Sequence, residues 1–256
     1  MILIFYYSLL RYNVFEPSQF ILFDNYLKLF SDKTFWQTFI NSLIYLLVTP
    51  ILIIISLILA LAVREATSGA KFFRTIYFLP VVTPIVIVGI IWRWIFSEDT
   101  GLMNYLLSLL SLPKIFWLTD YPTNIISVML VTIWRGFGYY LVIFLAGLAV
   151  IPKGIEDASR LDGASYFQQA YYILIPNLKP TITLIFVISS TAAIKLFIEL
   201  YILIPGAPMD NKTIMLYLYR HAFERFDLGY GSAIGVVLFL LTLGFSYVNV
   251  KMMERS

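Results

Sequence analysis

Five stretches of nearly unbroken apolar sequence dominate this chain: Ile40–Val63, Tyr77–Phe96, Ile125–Val150, Thr181–Ile204 and Ser232–Val250. Crossing the roughly 30 Å hydrocarbon core of a bilayer takes about 20 apolar residues in a helix, where every backbone polar group is satisfied internally. The first four stretches meet that length; the fifth is slightly shorter, carries no charge and closes at Lys251. Composition agrees. Of the 256 residues 60% are hydrophobic and 13% charged, against about 45–50% and about 25% in soluble domains, and the mean hydropathy is +0.85. The sequence therefore predicts an all-α, polytopic transmembrane helical bundle with five full spans. Met1–Leu10 is also apolar, but about 10 residues rise only about 15 Å as a helix. It is expected to be a short N-terminal helix, or the end of a first span that begins upstream.

The residue inventory excludes several classes of chemistry. There is no cysteine, hence no disulfide, iron–sulfur ligation or thiolate zinc site, and the one histidine, His221, cannot build a metal centre alone. No cofactor is expected. A net charge of +3 without a Lys/Arg cluster argues against nucleic acid as a partner. Neither G-x-x-x-x-G-K-[ST] nor H-E-x-x-H occurs, so the chain is expected neither to bind nucleotide through a phosphate loop nor to act as an enzyme. Met1–Leu10 lacks the basic flank and cleavage site of a signal peptide.

Orientation follows from the basic residues of the loops. With 152–180 on the cytoplasmic side, Arg64, Lys71, Arg74, Lys153, Arg160, Lys179, Lys251 and Arg255 lie inside. Arg11, Lys28, Lys33, Lys114, Lys212, Arg220 and Arg225 then lie outside, spread over longer segments, so basic density favours this arrangement. Residues 1–39 read as a partial first span and an external loop. A single membrane domain over 40–250 and a cytoplasmic tail at 251–256 complete the expected organisation.

Residues 152–180 differ from every other connection: moderately polar, framed by prolines and rich in small residues. Glu156 and Asp157 sit early in a short helical pattern, where negative charge suits the positive end of the helix dipole. Ile155, Ala158 and Leu161 form a thin apolar stripe, Gly163 interrupts the pattern, and a second helical run, Tyr166–Ile175, leads to Pro176. A helix bound to lipid headgroups wants large apolar and basic residues. This one is small and acidic, and suits docking into a protein groove.

The run Glu156-Asp157-Ala158-Ser159-Arg160-Leu161-Asp162-Gly163-Ala164, followed by Ile173-Leu174-Ile175-Pro176, resembles the EAA loop of the inner-membrane permeases of binding-protein-dependent ABC importers. Asp157 and Ile175 stand where that family prefers Ala and Leu, without disturbing the spacing. Asn41-Ser42-Leu43, Phe78-Leu79-Pro80, Gly101-Leu102-Met103-Asn104, Trp134-Arg135-Gly136-Phe137-Gly138, Thr213 and Gly229-Tyr230-Gly231 extend the likeness toward the carbohydrate and glycerol-phosphate branch, the maltose-permease kind. The resemblance implies a type I importer permease fold and a sugar or similar small polar solute. It also implies three partners: an ABC ATPase dimer, a second permease subunit in a heterodimer, and an extracytoplasmic solute-binding protein. Glu156, Ala158, Asp162, Gly163 and Ala164 would be the ATPase-coupling residues, with Glu156 facing a basic group of the ATPase, the alanines filling a cleft and Gly163 permitting the turn.

Charges inside the spans mark further candidates. Lys195 and Glu199, one helical turn apart, are expected to pair on one face, and with Ser190 and Arg135 to line or gate the solute pathway. Packing is the competing role for Arg135, followed as it is by Gly136 and Gly138, and for Lys195–Glu199 as a buried pair. Arg93, between Trp92 and Trp94, is expected to reach the interface. Tyr139-Tyr140 reads as interfacial aromatics. An ion-coupled secondary transporter is the alternative of a different class; the broken midplane helices it calls for are not evident in the sequence. A permease for glycerol phosphate or polyamine is the alternative within the class.

Overall fold

The computed structural model describes residues 2–64 and 70–253, without the side chains of 70–75, 250, 252 and 253. The side chains of Lys71 and Arg74, and the whole of Arg255, lie outside the described residues. In chain order, α1 (Ile2–Ser8) leads into a two-stranded antiparallel ribbon, β1 (Leu10–Arg11) with β2 (Gln19–Phe20), and then α2 (Asp24–Ser31). α3 (Lys33–Ile44) and α4 (Val48–Val63) follow, then α5 (Ala70–Val82), α6 (Ile85–Ile95), α7 (Leu102–Leu109) and α8 (Thr123–Val150). The connection after α8 carries α9 (Lys153–Leu161), α10 (Tyr166–Gln169) and α11 (Ile175–Asn177). α12 (Lys179–Ile194), α13 (Ile198–Leu203), α14 (Ile214–Tyr219) and α15 (Leu228–Met253) complete the chain.

Four stretches among the described residues are long and apolar enough to cross a membrane: Lys33–Val63, Thr123–Val150, Lys179–Leu203 and Leu228–Asn249. The first begins earlier than its apolar run because the Asp32 side chain accepts from the Thr34 amide at 2.9 Å and caps the helix. Pro50, in the first turn of α4, cannot donate to the carbonyl four residues back, and a 3-10 turn at Tyr45–Leu47 takes up the misfit.

Tyr77–Phe96 is not the straight span its hydropathy suggests. It is a pair, Ile76–Val82 and Ile85–Ile95, bent by 108°. Pro84 disfavours helical geometry at Thr83, whose hydroxyl turns back to the Leu79 carbonyl at 2.8 Å. The stretch Lys179–Leu203 is interrupted too, at Lys195–Phe197 between α12 and α13. No Pro or Gly stands there; Thr213 Oγ1 donates to the Leu196 carbonyl at 2.7 Å and satisfies a group that a continuous helix would have bonded. Broken spans are therefore present, contrary to the reading of the sequence.

The contacts divide the chain into two compact units. One comprises 1–47, 85–131 and 191–248, the other 48–84, 132–190 and 249–256. The first unit is centred on a buried cluster of Leu29, Phe35, Ile194, Ile214, Tyr217, Tyr230, Ile234 and Leu238. Polar ties fix its loops. Asn41 Nδ2 donates to the carbonyls of Asp210 and Lys212, and Ser42 Oγ accepts from the Ile214 amide at 3.0 Å. Asn104 holds the loop before α8 through the Glu98 carbonyl, both backbone groups of Ile115 and the Trp117 indole. In the second unit, a Cβ at Gly138 would lie 2.0 Å from the Tyr77 carbonyl oxygen, so only glycine allows α8 to approach α5 there. Ser56 Oγ donates to the Phe137 carbonyl at 2.9 Å and ties α4 to the same stretch.

Candidate functional site

The site is built from the connection between α8 and α12. Pro152 opens α9, and its rigid φ suits that place. The helix ends in a Schellman motif: the Gly163 amide donates to the Arg160 carbonyl at 3.1 Å and the Ala164 amide to the Ser159 carbonyl at 3.0 Å. That motif requires a left-handed residue, and Gly163 supplies it with φ +81°. Among the described residues nothing approaches a Cβ placed there within 4 Å, so the glycine serves the turn rather than a close contact with them. Ser165 then starts α10 with a capping box, exchanging hydrogen bonds with Gln168. A π-helical turn at Ala170–Leu174 precedes Pro176, whose missing N–H forbids the ordinary ladder.

The two faces of α9 are distinct. Ala158, Leu161 and Asp162 are exposed, Leu161 at 89%, and Ala164 is half-buried. Glu156 and Ser159 are buried on the opposite side, and Ser159 Oγ donates to the Glu156 carbonyl at 2.7 Å. The Glu156 carboxylate forms an ion pair with Arg64 at the end of α4, and both side chains are largely shielded from water. On the other helix of the segment, Tyr166 Oη donates to the Leu61 carbonyl at 2.9 Å. The expectation that Glu156 stands ready for a basic group elsewhere thus meets a basic group of the same chain. Arg64 was visible in the sequence only as the residue ending an apolar run and as one of the basic residues on the inner side. Its partner lies 92 residues away, beyond any local signal.

The residues expected along the pathway fall in both units. Arg135, half-buried on α8, and Ser190 belong to the second unit, and Lys195 and Glu199 to the first. Ser190 is fully buried and its hydroxyl donates back to the Phe186 carbonyl at 2.6 Å. Lys195 is exposed within the interruption, while Glu199, on α13, is buried. The helix breaks between them, so they do not share one continuous helical face. Arg93 is exposed beside Trp94. Among the described residues no cluster of His, Cys, Asp and Glu could hold a metal ion.

Long apolar helices joined by a polar, firmly ended helical segment define a multi-pass membrane protein. The chain belongs to the family described as the binding-protein-dependent transport system inner membrane component, matched over residues 53–251. It is 32% identical to the probable ABC transporter permease protein YurN of Bacillus subtilis, over 97% of this chain and 88% of that one. The sulfoquinovosyl glycerol transport system permease protein SmoG of Agrobacterium fabrum is 30% identical over 94% of this chain and 79% of its own length. A bacterial alginate ABC transporter, solved with an alginate pentasaccharide-bound periplasmic protein, has a chain of the same fold. Its TM-score is 0.85 at 25% identity, covering 92% of this chain and 83% of that one. The protein is accordingly an inner-membrane permease subunit of an ABC importer. The ion-coupled alternative is set aside despite the broken spans.

Proposed function

We propose that this permease carries a sugar-type solute and that residues 152–180 are the seat of a separate ABC ATPase dimer. The observation that carries the coupling reading is α9 itself: an exposed helix, rigidly ended, in the connection between two spans. Ala158, Asp162, Gly163 and Ala164 form its small-residue surface, suited to a cleft, with Leu161 projecting beside them. Glu156 acts from the buried side, holding the helix to α4. The sugar-type solute is supported by the similarity to the permease of a sulfoquinovosyl glycerol transport system and to an alginate transporter. A second permease subunit and an extracytoplasmic solute-binding protein complete the assembly. Lys195 and Glu199, beside the interruption in their span, are its pathway residues; Arg135 and Ser190 contribute to packing.

The test is reconstitution with the ATPase and binding protein in vesicles, followed by uptake of labelled sugars, glycerol phosphates and polyamines. Sugar uptake that is lost in Gly163→Val, with the membrane subunit still folded, is the expected result. Intact coupling in Gly163→Val would overturn the seat, and uptake of only glycerol phosphate or polyamine would overturn the solute class.

A further inference from the structure

The segment 153–177 is fastened to α4 at two places. Arg64 pairs with Glu156 of α9, and the Leu61 carbonyl accepts from Tyr166 Oη of α10 at 2.9 Å. Leu61 and Arg64 are three residues apart, so both attachments fall on one turn at the end of α4. They lie on either side of the turn made by Gly163, one on each helix of the segment. The segment is also joined covalently at both ends: α9 continues from α8 through Ile151-Pro152, and α11 runs into α12 through Leu178. A displacement of the segment therefore reaches α8 and α12 through the backbone, and these two contacts pass it directly to the last turn of α4.

We propose that the Arg64–Glu156 pair, backed by Tyr166, is the strut that makes α4 move with the coupling segment, with Arg64 as a positioning residue for transport. This rests on the reading that an ATPase seats on residues 152–180. The physical argument is that of a shielded ion pair. Its partners have given up hydration and hold each other in one geometry, and removing either one leaves the other uncompensated. Such a contact resists sliding between the two helices where a mere apolar contact would yield. The tyrosine hydroxyl on the second helix blocks rotation about the pair. The segment and the last turn of α4 are then one rigid piece.

The absence of cysteine from this chain lets nitroxides be placed in it at chosen positions, the complete transporter being assembled with cysteine-free partner subunits. Nitroxides at Ile58→Cys on α4 and Leu184→Cys on α12, both exposed, report whether the two helices travel together. With the pair intact, trapping the ATPase with ATP and vanadate leaves one narrow distance distribution in both states. In Arg64→Met or Glu156→Gln the trapped state shifts out of that distribution, and Arg64→Lys or the exchanged pair Arg64→Glu with Glu156→Arg returns it. Unshifted distances in both single variants, or an exchanged pair no better than they are, would overturn the strut. A label at Leu161→Cys tests the underlying reading separately. Immobilisation when the ATPase is added supports the seat, and a label that stays mobile in the assembled complex rejects it whatever α4 does.

Discussion

Replacing Asp32 by alanine removes a carboxylate on which three groups of the first unit converge. Its Oδ2 accepts from Tyr217 Oη and from Tyr230 Oη, the latter at 3.0 Å, while Oδ1 caps α3 through the Thr34 amide. Both tyrosines are buried, Tyr230 at 1% exposure. Burial alone would raise the carboxyl pKa; hydrogen bonds from the two hydroxyls and from the amides of Thr34 and Phe35 outweigh it and hold the group below its ordinary value. Burial, and then the hydrogen bond to the same acceptor, pushes the Tyr217 hydroxyl up and keeps it a donor. Stranding two buried hydroxyls costs about 1–3 kcal/mol each, and losing the cap about 1 kcal/mol. Asp32→Ala is therefore expected to lose about 4 kcal/mol, and Asp32→Asn, which keeps an acceptor and a cap, about 1–2 kcal/mol. At about 2–4 °C per kcal/mol, tryptophan-monitored melting in detergent at pH 7 should place Asp32→Ala roughly 8–16 °C below the parent. Because the folded pKa is depressed, this contribution is complete above the unfolded value of about 3.9 and is lost only in stronger acid. An alanine variant within 3 °C of the parent, or an asparagine variant as weak as alanine, would show that the carboxylate does not organise this region.

Three further outcomes are expected. His221 sits between Tyr217 and Tyr230 with Nε2 3.3 Å from Arg225; burial first, and then Arg225, lowers its pKa to about 4. Its stabilising effect is complete above about 6.5 and is lost as pH falls toward 4, so melting of His221→Gln should be flat across that window where the parent declines. Gly138→Ala forces a Cβ against the Tyr77 carbonyl and should cost about 1–3 kcal/mol in detergent unfolding; a melting point equal to the parent's would show that α5 can give way. Thr213→Val leaves the Leu196 carbonyl without its side-chain donor, at about 1–3 kcal/mol. Faster amide hydrogen exchange around Leu196 in that variant, with Thr213→Ser close to the parent, is the expected pattern.

Hydropathy located every long helix, because the bilayer demands the same run of apolar residues from any sequence that crosses it. It could not see where helices break. Pro84 lies inside the expected span Tyr77–Phe96, where hydropathy does not register it as a breaker, and the interruption at Lys195–Phe197 depends on Thr213, which reaches the Leu196 carbonyl from another segment. The polar connection was also legible, through Gly163, Ser165 and Pro176, whose roles are local. Arg64 was not, since its role is set by Glu156 across the fold. Asn41, Ser42, Asn104 and Thr213 stood out as a recurrent signature without a reason; the structure supplies one in the carbonyls and amides they satisfy.

The cluster that buries Leu29 and Phe35 is finished by Tyr230, Ile234 and Leu238. The ribosome must therefore deliver nearly the whole chain before the earliest helices can acquire their permanent neighbours. During synthesis Asn41, Ser42 and Asp32 lack their long-range native partners, since Asp210, Lys212, Ile214, Tyr217 and Tyr230 arrive late. Truncation before Leu228 leaves the N-terminal helices inserted but unassembled, a natural substrate for membrane quality control.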